Sequence, residues 1–515
     1  MIRNSLCSRV VVFVLTLSVS GFVHTGASFA QEISGGASVL LASADVEAKL
    51  GKGIFGSPPN RKHVKRPPPK TVVRSSHATR PTTSTIPRTK PETEKPAEVS
   101  HRTGESTKPP ADPIRRLPTA ETFNKQGDDF FDAGQYQKAV DAYQQAIHLQ
   151  ANYPEAYLSL GEAYFNLEKY EDAVTAEKRA IVQKPEWAPP YHALGNAYLK
   201  LDRSVEAMET LKKALSLDSN DTEAKAALSL IYFNLGVAAY NANKYEDAIA
   251  AYRQAIGLKP NYGEAYDNLG DAYRRLEKLS EAEDAYKQAV HFMPDSVDAQ
   301  SDLSWTYNKL GKYAEAADTY KQVIRLKPDD AEANNNMGYA LGKTKRWPDA
   351  IVAFKRAIEL KPDYAEAYSN LGWAYNNVGN FTAAIDPLKK AIQLKPDLPE
   401  GHFNIGITYN SLKRNNEALA AFSQAIQLKP DWPAGQNNLG VAYMNLRQWK
   451  QAIGALEKAV QLKPDYQGAH YNLGVAYLAS GNKKSANKQY EILVPLNRNN
   501  ANLLYRQIYN KPPPP

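Results

Sequence analysis

AEAYSNLGWAYNNVGNFTAAIDPLKKAIQLKPDL, residues 365–398, decides the fold. Tyr368, Leu371, Gly372 and Tyr375 fall at i, i+3, i+4 and i+7, which is one face of a helix. Ala384, Leu388, Ala391 and Ile392 mark a second helical stretch, and Val378-Gly379-Asn380 between the two reads as a turn. Gly372 and Ala384 carry almost no side chain, so the two helices can approach closely there. Pro396 ends the second helix, because proline lacks the N–H and clashes with the preceding turn. Asp397-Leu398-Pro399-Glu400 then restarts the pattern, and an acid three positions before a glutamate predicts a capping box. Asp363-Tyr364-Ala365-Glu366 and Asn261-Tyr262-Gly263-Glu264 predict the same.

Outward from this block the pattern recurs. Glycines at 127, 161, 195, 236, 270, 338, 372, 406, 440 and 474, with Ser304 in one glycine's place, mark eleven units, most of them 34 residues apart. An alanine follows each marker at a constant offset, from Ala139 after Gly127 to Ala486 after Gly474. A fixed period of this size is the signature of a stacked repeat protein, which offers a long surface rather than a reaction centre. A second constant offset holds an aromatic, as Tyr143 after Gly127, and Glu177, Leu211, Leu388 and Leu456 replace it in their units. The third and fourth markers are 41 residues apart, and the seven extra residues, about 222–228, are either two further helical turns or a hinge.

On these spacings the stretch from roughly 120 to 500 resembles the tetratricopeptide repeat family. The resemblance implies an all-α fold: a right-handed α-solenoid of about eleven helix-turn-helix units, with the first helix of each pair lining a concave groove. Units one to three take residues 119–221, the insertion 222–228, units four to eleven 229–500, and a polar cap with a proline tail 501–515. One unit cannot bury its own apolar face, so stability comes from stacking.

Residues 1–30 lie outside the period. Arg3 and Arg9 precede an apolar run from Val10 to Val23, and Ser28-Phe29-Ala30 offers small residues for cleavage, the pattern of a signal peptide. The protein is therefore expected to be exported, periplasmic or extracellular, with its mature start near Gln31. The only cysteine, Cys7, precedes the apolar run, so the mature chain is expected to hold no disulfide. The net charge of +8 is unevenly placed: residues 51–118 hold 15 Lys or Arg against 5 Asp or Glu, and the remainder from 119 holds 45 against 47. Residues 51–118 also contain 13 prolines, so 31–118 reads as a disordered basic linker. Arg61-Lys62-His63-Val64-Lys65-Arg66 has two readings, adhesion to an anionic membrane or cell-wall surface and a solvated spacer. Nucleic acid is not expected as a partner of an exported chain.

No catalytic or metal-binding spacing accompanies the repeats, and neither a cofactor nor a metal is expected. Glu264, Glu332, Glu366 and Glu400 recur at helix starts, where the dipole favours them. One periodic feature points to a ligand. Two positions before the marker stand Asn234, Asn268, Asn336, Asn370, Asn404, Asn438 and Asn472, with Asp302 in the sixth unit. This place is off the Tyr-Leu-Gly-Tyr face and shares a stripe with Trp305 and Trp373. An amide both donates and accepts, so such a row can hold the backbone of an extended peptide. The expected peptide-binding residues are Asn268, Asn336, Asn370, Asn404, Asn438, Asn472, Trp305 and Trp373. The row is similar to the asparagine ladder of the protein O-linked N-acetylglucosamine transferases, and with no transferase domain expected before Pro515 the resemblance implies substrate holding without catalysis. The leading expectation is a non-enzymatic scaffold that binds extended segments of other proteins. A structural subunit of an envelope secretion, pilus or polysaccharide-export assembly, and a substrate-recruiting partner of a glycosyltransferase, are the alternatives.

Overall fold

The computed structural model describes residues 118–511. The signal-peptide, linker and proline-tail readings of 1–30, 31–117 and 512–515 lie outside the described residues. Among those described there are 23 α-helices and no strand. None of these helices is long and apolar enough to cross a membrane. Eleven pairs account for 22 of the helices, and Arg498–Tyr509 is the last. The quoted block forms Ala365–Asn377 and Phe381–Leu394.

In nine of the eleven pairs the marker glycine is where the second helix inserts a side chain into the first. A Cβ added at Gly127, Gly270 or Gly406 would fall 2.5–2.7 Å from the ring of Tyr143, Tyr286 or Phe422 respectively, the aromatic of the same repeat's second helix. In four repeats Glu177, Leu211, Leu388 and Leu456 occupy that place. The alanine that follows the marker, from Ala139 to Ala486, is at most 1% exposed in all eleven repeats, so a larger side chain there has no room. In the last repeat, Leu504 of the terminal helix fills the space above Gly474. That helix caps the stack with a buried face of Ala501, Leu504 and Ile508, where the sequence alone predicts a polar element.

Each turn within a pair places one residue at positive φ, seven positions after the marker. Gly134, Gly311, Gly379 and Gly481 supply it in four repeats. Glu168, Asp202, Asn243, Glu277, Lys345, Lys413 and Arg447 adopt it at φ of 57–61°, where a Cβ is strained.

The capping boxes are not formed. Tyr364, Leu398 and Tyr262, not the preceding acid or amide, stand at the N-caps, and none of them makes a side-chain capping bond. Glu366 and Glu400 are instead drawn to the lysine that ends the second helix of the same pair. Lys395 Nζ donates to Glu366 at 2.9 Å, and Lys429 Nζ to Glu400 at 3.4 Å. Side-chain caps occur where an acid or hydroxyl does hold the N-cap, as at Asp221, Ser296 and Asp330.

The insertion is a helical extension. The first helix of the fourth repeat, Thr222–Asn241, has 20 residues where every other first helix has 13. Asp221 caps it, accepting the Ala224 N–H at 2.8 Å. The described residues divide into two compact units, 118–261 with repeats one to four and 262–511 with repeats five to eleven.

Candidate peptide-binding face

In the second unit the asparagine row runs along consecutive first helices, and the structure places most of it between them. Asn336, Asn370, Asn404 and Asn472 are buried, whereas Asn268 and Asn438 are half-buried. Asn370 Nδ2 donates to Asn335 Oδ1 at 2.9 Å, and Asn472 Nδ2 donates to Asn437 Oδ1 at 2.9 Å. Asn404 Nδ2 donates to Ser369 Oγ at 3.3 Å. All three bonds span 35 positions, one repeat plus one. Each joins the row to the residue just before it in the preceding repeat. At Asn438 that neighbouring place is Phe403, which offers no acceptor, and Asn438 Nδ2 turns back to the Ala434 carbonyl at 2.9 Å in its own helix.

Read from sequence, the row stands off the packing face. The structure differs because adjacent first helices touch, and an amide at that contact is desolvated unless it finds a partner. The residues one position earlier, Asn335, Ser369 and Asn437, belong to the same network. They share the spacing of the repeat, but nothing in that spacing shows which pairs meet.

A second amide set lies two turns along the same helices. Asn376 Nδ2 donates to the Asn404 carbonyl at 3.0 Å and Thr408 Oγ1 to Asn376 Oδ1 at 2.8 Å. Asn445 Nδ2 donates to Asn410 Oδ1 at 2.6 Å, again with the offset of one repeat plus one.

The two tryptophans sit differently. Trp373 is buried, stacked on Tyr339 at 6.0 Å and edge-on to Trp347 at 4.9 Å. Trp305 is half-buried, with the Arg274 guanidinium 5.6 Å and the Lys309 ammonium 5.1 Å from its ring. The indole N–H of each is without an acceptor.

Beside Trp305 the fifth and sixth repeats bury three acids, Asp267, Asp271 and Asp302, which no spacing in the sequence marks as a group. Arg274 Nη2 lies 2.6 Å from Asp271, and the Tyr286 hydroxyl donates to the same carboxylate at 2.8 Å. Burial works against the Arg274 charge, but Tyr286, Asp271 and Asp302 around it outweigh that and raise its pKa. Lys343, near the rings of Tyr313 and Tyr339, has its amine pushed down by burial. Among the described residues no three acidic, imidazole or thiol groups gather as metal ligands would.

Stacked helix pairs, nearly all of one length and ten of the eleven marked by a glycine, with an alanine in every one, define an α-helical repeat protein. The repeats are tetratricopeptide repeats. Residues 365–398 match the family described as tetratricopeptide repeat, with the bounds of the block quoted first, and 343–379, 408–446 and 448–481 match the one described as TPR repeat. Residues 92–337 match the cilia and flagella-associated protein 70 C-terminal domain. No curated protein matches the chain. Similar solved structures include the APC/C hetero-tetramer Cut9-Hcn1, at 16% identity over 76% of this chain and 97% of that one, with a TM-score of 0.42. Yeast Tom70 is 17% identical over 75% and 96%, with a TM-score of 0.37. MamA is 27% identical over 34% of this chain and 92% of that one, with a TM-score of 0.29.

Proposed function

We propose that this tetratricopeptide-repeat protein is an exported, non-enzymatic scaffold whose second unit holds extended segments of partner proteins against its first helices. The observation that carries the reading is the amide row with Trp305 beside it. The bonds between repeats fix the orientation of the buried amides, so the half-buried members, Asn268 and Asn438, sit on a preset track. Trp305 adds a half-buried ring beside the row, flanked by the Arg274 and Lys309 cations. Single amide contacts contribute only about 0.5–1.5 kcal/mol net, so affinity rests on several together.

A peptide array probed with the full chain, followed by titration of the best peptide, tests this. Replacing Asn268, Trp305 and Asn438 together by alanine is expected to weaken binding at least tenfold. Equal affinity of parent and variant would place the partner surface elsewhere. A structural-subunit role in an envelope assembly is the second reading, favoured by apolar side chains left in solvent on second helices, such as Val352 at 67% exposure. Recruitment of substrates for a separate glycosyltransferase is a narrower form of the first reading.

A further inference from the structure

The first unit contains a cavity of about 840 Å³ among repeats one to three and the start of the fourth repeat's first helix. Its walls carry eight carboxylates, including Asp128, Asp132, Glu155, Glu162, Glu177 and Asp221, and neither lysine nor arginine. Some of this charge is already met. His192 Nδ1 lies 3.0 Å from Asp221, Lys184 Nζ lies 3.3 Å from Glu155, and the Tyr143 hydroxyl donates to Asp128 at 3.1 Å.

Glu177 is different. It is 1% exposed, and neither carboxylate oxygen has a hydrogen-bond partner. It stands where other repeats place an aromatic ring or a leucine, and its Oε1 is the atom nearest to a Cβ built at Gly161, so an apolar key is replaced there by a carboxyl. An unpaired buried carboxyl is costly, and a guanidinium or ammonium brought to it would relieve that cost. Phe165 in the same wall suits the apolar stem of such a side chain, while the Trp187 ring already has the Lys184 ammonium 4.5 Å from its centroid.

We propose that this cavity is a binding site for an arginine or lysine side chain presented by an extended segment, with Glu177 as the buried counter-charge, and that the occupant is the chain's own basic segment around Arg61-Lys62-His63-Val64-Lys65-Arg66. Charge argues for it: residues 51–118 hold 15 basic and 5 acidic side chains, and the ionisable groups of the cavity wall are acids and tyrosine apart from His192. Connection argues for it as well. The segment leads into the first helix of repeat one, Ala120–Asp132, which supplies Asp128 and Asp132 to the cavity wall. The intervening residues 67–117 reach the cavity easily at up to about 3.3 Å per residue. Attachment in one chain gives an effective concentration on the order of millimolar.

The test is competition in the full chain. A labelled peptide of residues 58–69 is titrated, by fluorescence anisotropy, against the parent and against a chain with Arg61, Lys62, Lys65 and Arg66 changed to glutamine. The neutralised chain is expected to bind the peptide at least tenfold more tightly, because its own segment no longer competes. Adding Glu177→Leu to that chain is expected to weaken binding at least tenfold. Leucine holds this place in three other repeats, and a thermal melt confirms that the variant is folded. No binding to the neutralised chain, or unchanged binding after Glu177→Leu, would overturn the site. Equal binding by parent and neutralised chain, lost on Glu177→Leu, would overturn the occupant.

Discussion

The side-chain amide of Asn370 in the eighth repeat donates to Asn335 Oδ1 in the seventh across 2.9 Å, and both residues are buried. The bond ties one first helix to the next. Removing Asn370 leaves a desolvated acceptor, so Asn370→Ala is expected to cost about 1–3 kcal/mol. Asn438→Ala should cost less, since its amide is half-buried and bonded within its own helix. Guanidinium unfolding of both variants, with an Asn335/Asn370 double-mutant cycle, checks this. Equal losses at the two sites would remove the structural role assigned to the row. The same bonds revise a reading from sequence. A row that stood off the packing face could lose Asn336, Asn370, Asn404 and Asn438 together without a change in melting temperature, whereas the structure predicts that it falls.

Two glycines should respond in opposite directions to alanine. At Gly406 the added Cβ would lie 2.7 Å from the Phe422 ring, and overpacking of this kind costs about 1–3 kcal/mol. At Gly257, inside a second helix with nothing within 4 Å, alanine should stabilise by about 0.5–1 kcal/mol. Thermal melts of the two variants give the comparison, and a destabilised Gly257→Ala would show that the helix depends on that glycine in some other way.

Lys413 adopts φ of 59° in the turn of the ninth repeat. Glycine removes the steric penalty on the left-handed conformation, worth about 1–2 kcal/mol, and gives part of it back in unfolded-chain entropy. A net gain of up to about 1 kcal/mol is expected from Lys413→Gly in denaturant titration. A loss would mean that the lysine side chain contributes more than its backbone costs.

Burial, reinforced by Glu162, holds the Glu177 carboxyl well above the usual carboxylate range. The folded state therefore keeps its proton to a higher pH than the unfolded chain. The associated stability is complete below the unfolded value and is lost as pH rises through the folded one. In the chain with Arg61, Lys62, Lys65 and Arg66 changed to glutamine, Glu177→Leu should raise the melting temperature at pH 8 and change it less at pH 4. A pH-independent difference would contradict an unpaired buried carboxyl.

The helix pairs were legible because a glycine and an alanine recur at fixed offsets, each needed by the packing of the pair. Val378-Gly379-Asn380 marked a turn for the same reason, and Gly379 does hold positive φ. The helix starts were misread by one position. Asp397 followed by Glu400 looks like a capping box in one dimension, but Leu398 takes the N-cap and Lys429 takes the glutamate. The asparagine row was visible as a row. Its partners were not, because the offset of one repeat plus one arises only when adjacent first helices meet. Glu177 was visible as a replaced aromatic, but the acids around it come from several helices and gather only in the fold.

The central claim, that partners lie along the first helices of the second unit, is tested most directly by site-specific photo-crosslinking in the cells that make the protein. A benzophenone side chain is placed at Trp305 or Val441 on first helices, and at Val352 on an exposed second-helix face. The account predicts partner adducts from positions 305 and 441 and little from 352. Adducts concentrated at 352, with none from 305 and 441, would contradict it and point to the outward side chains of the second helices.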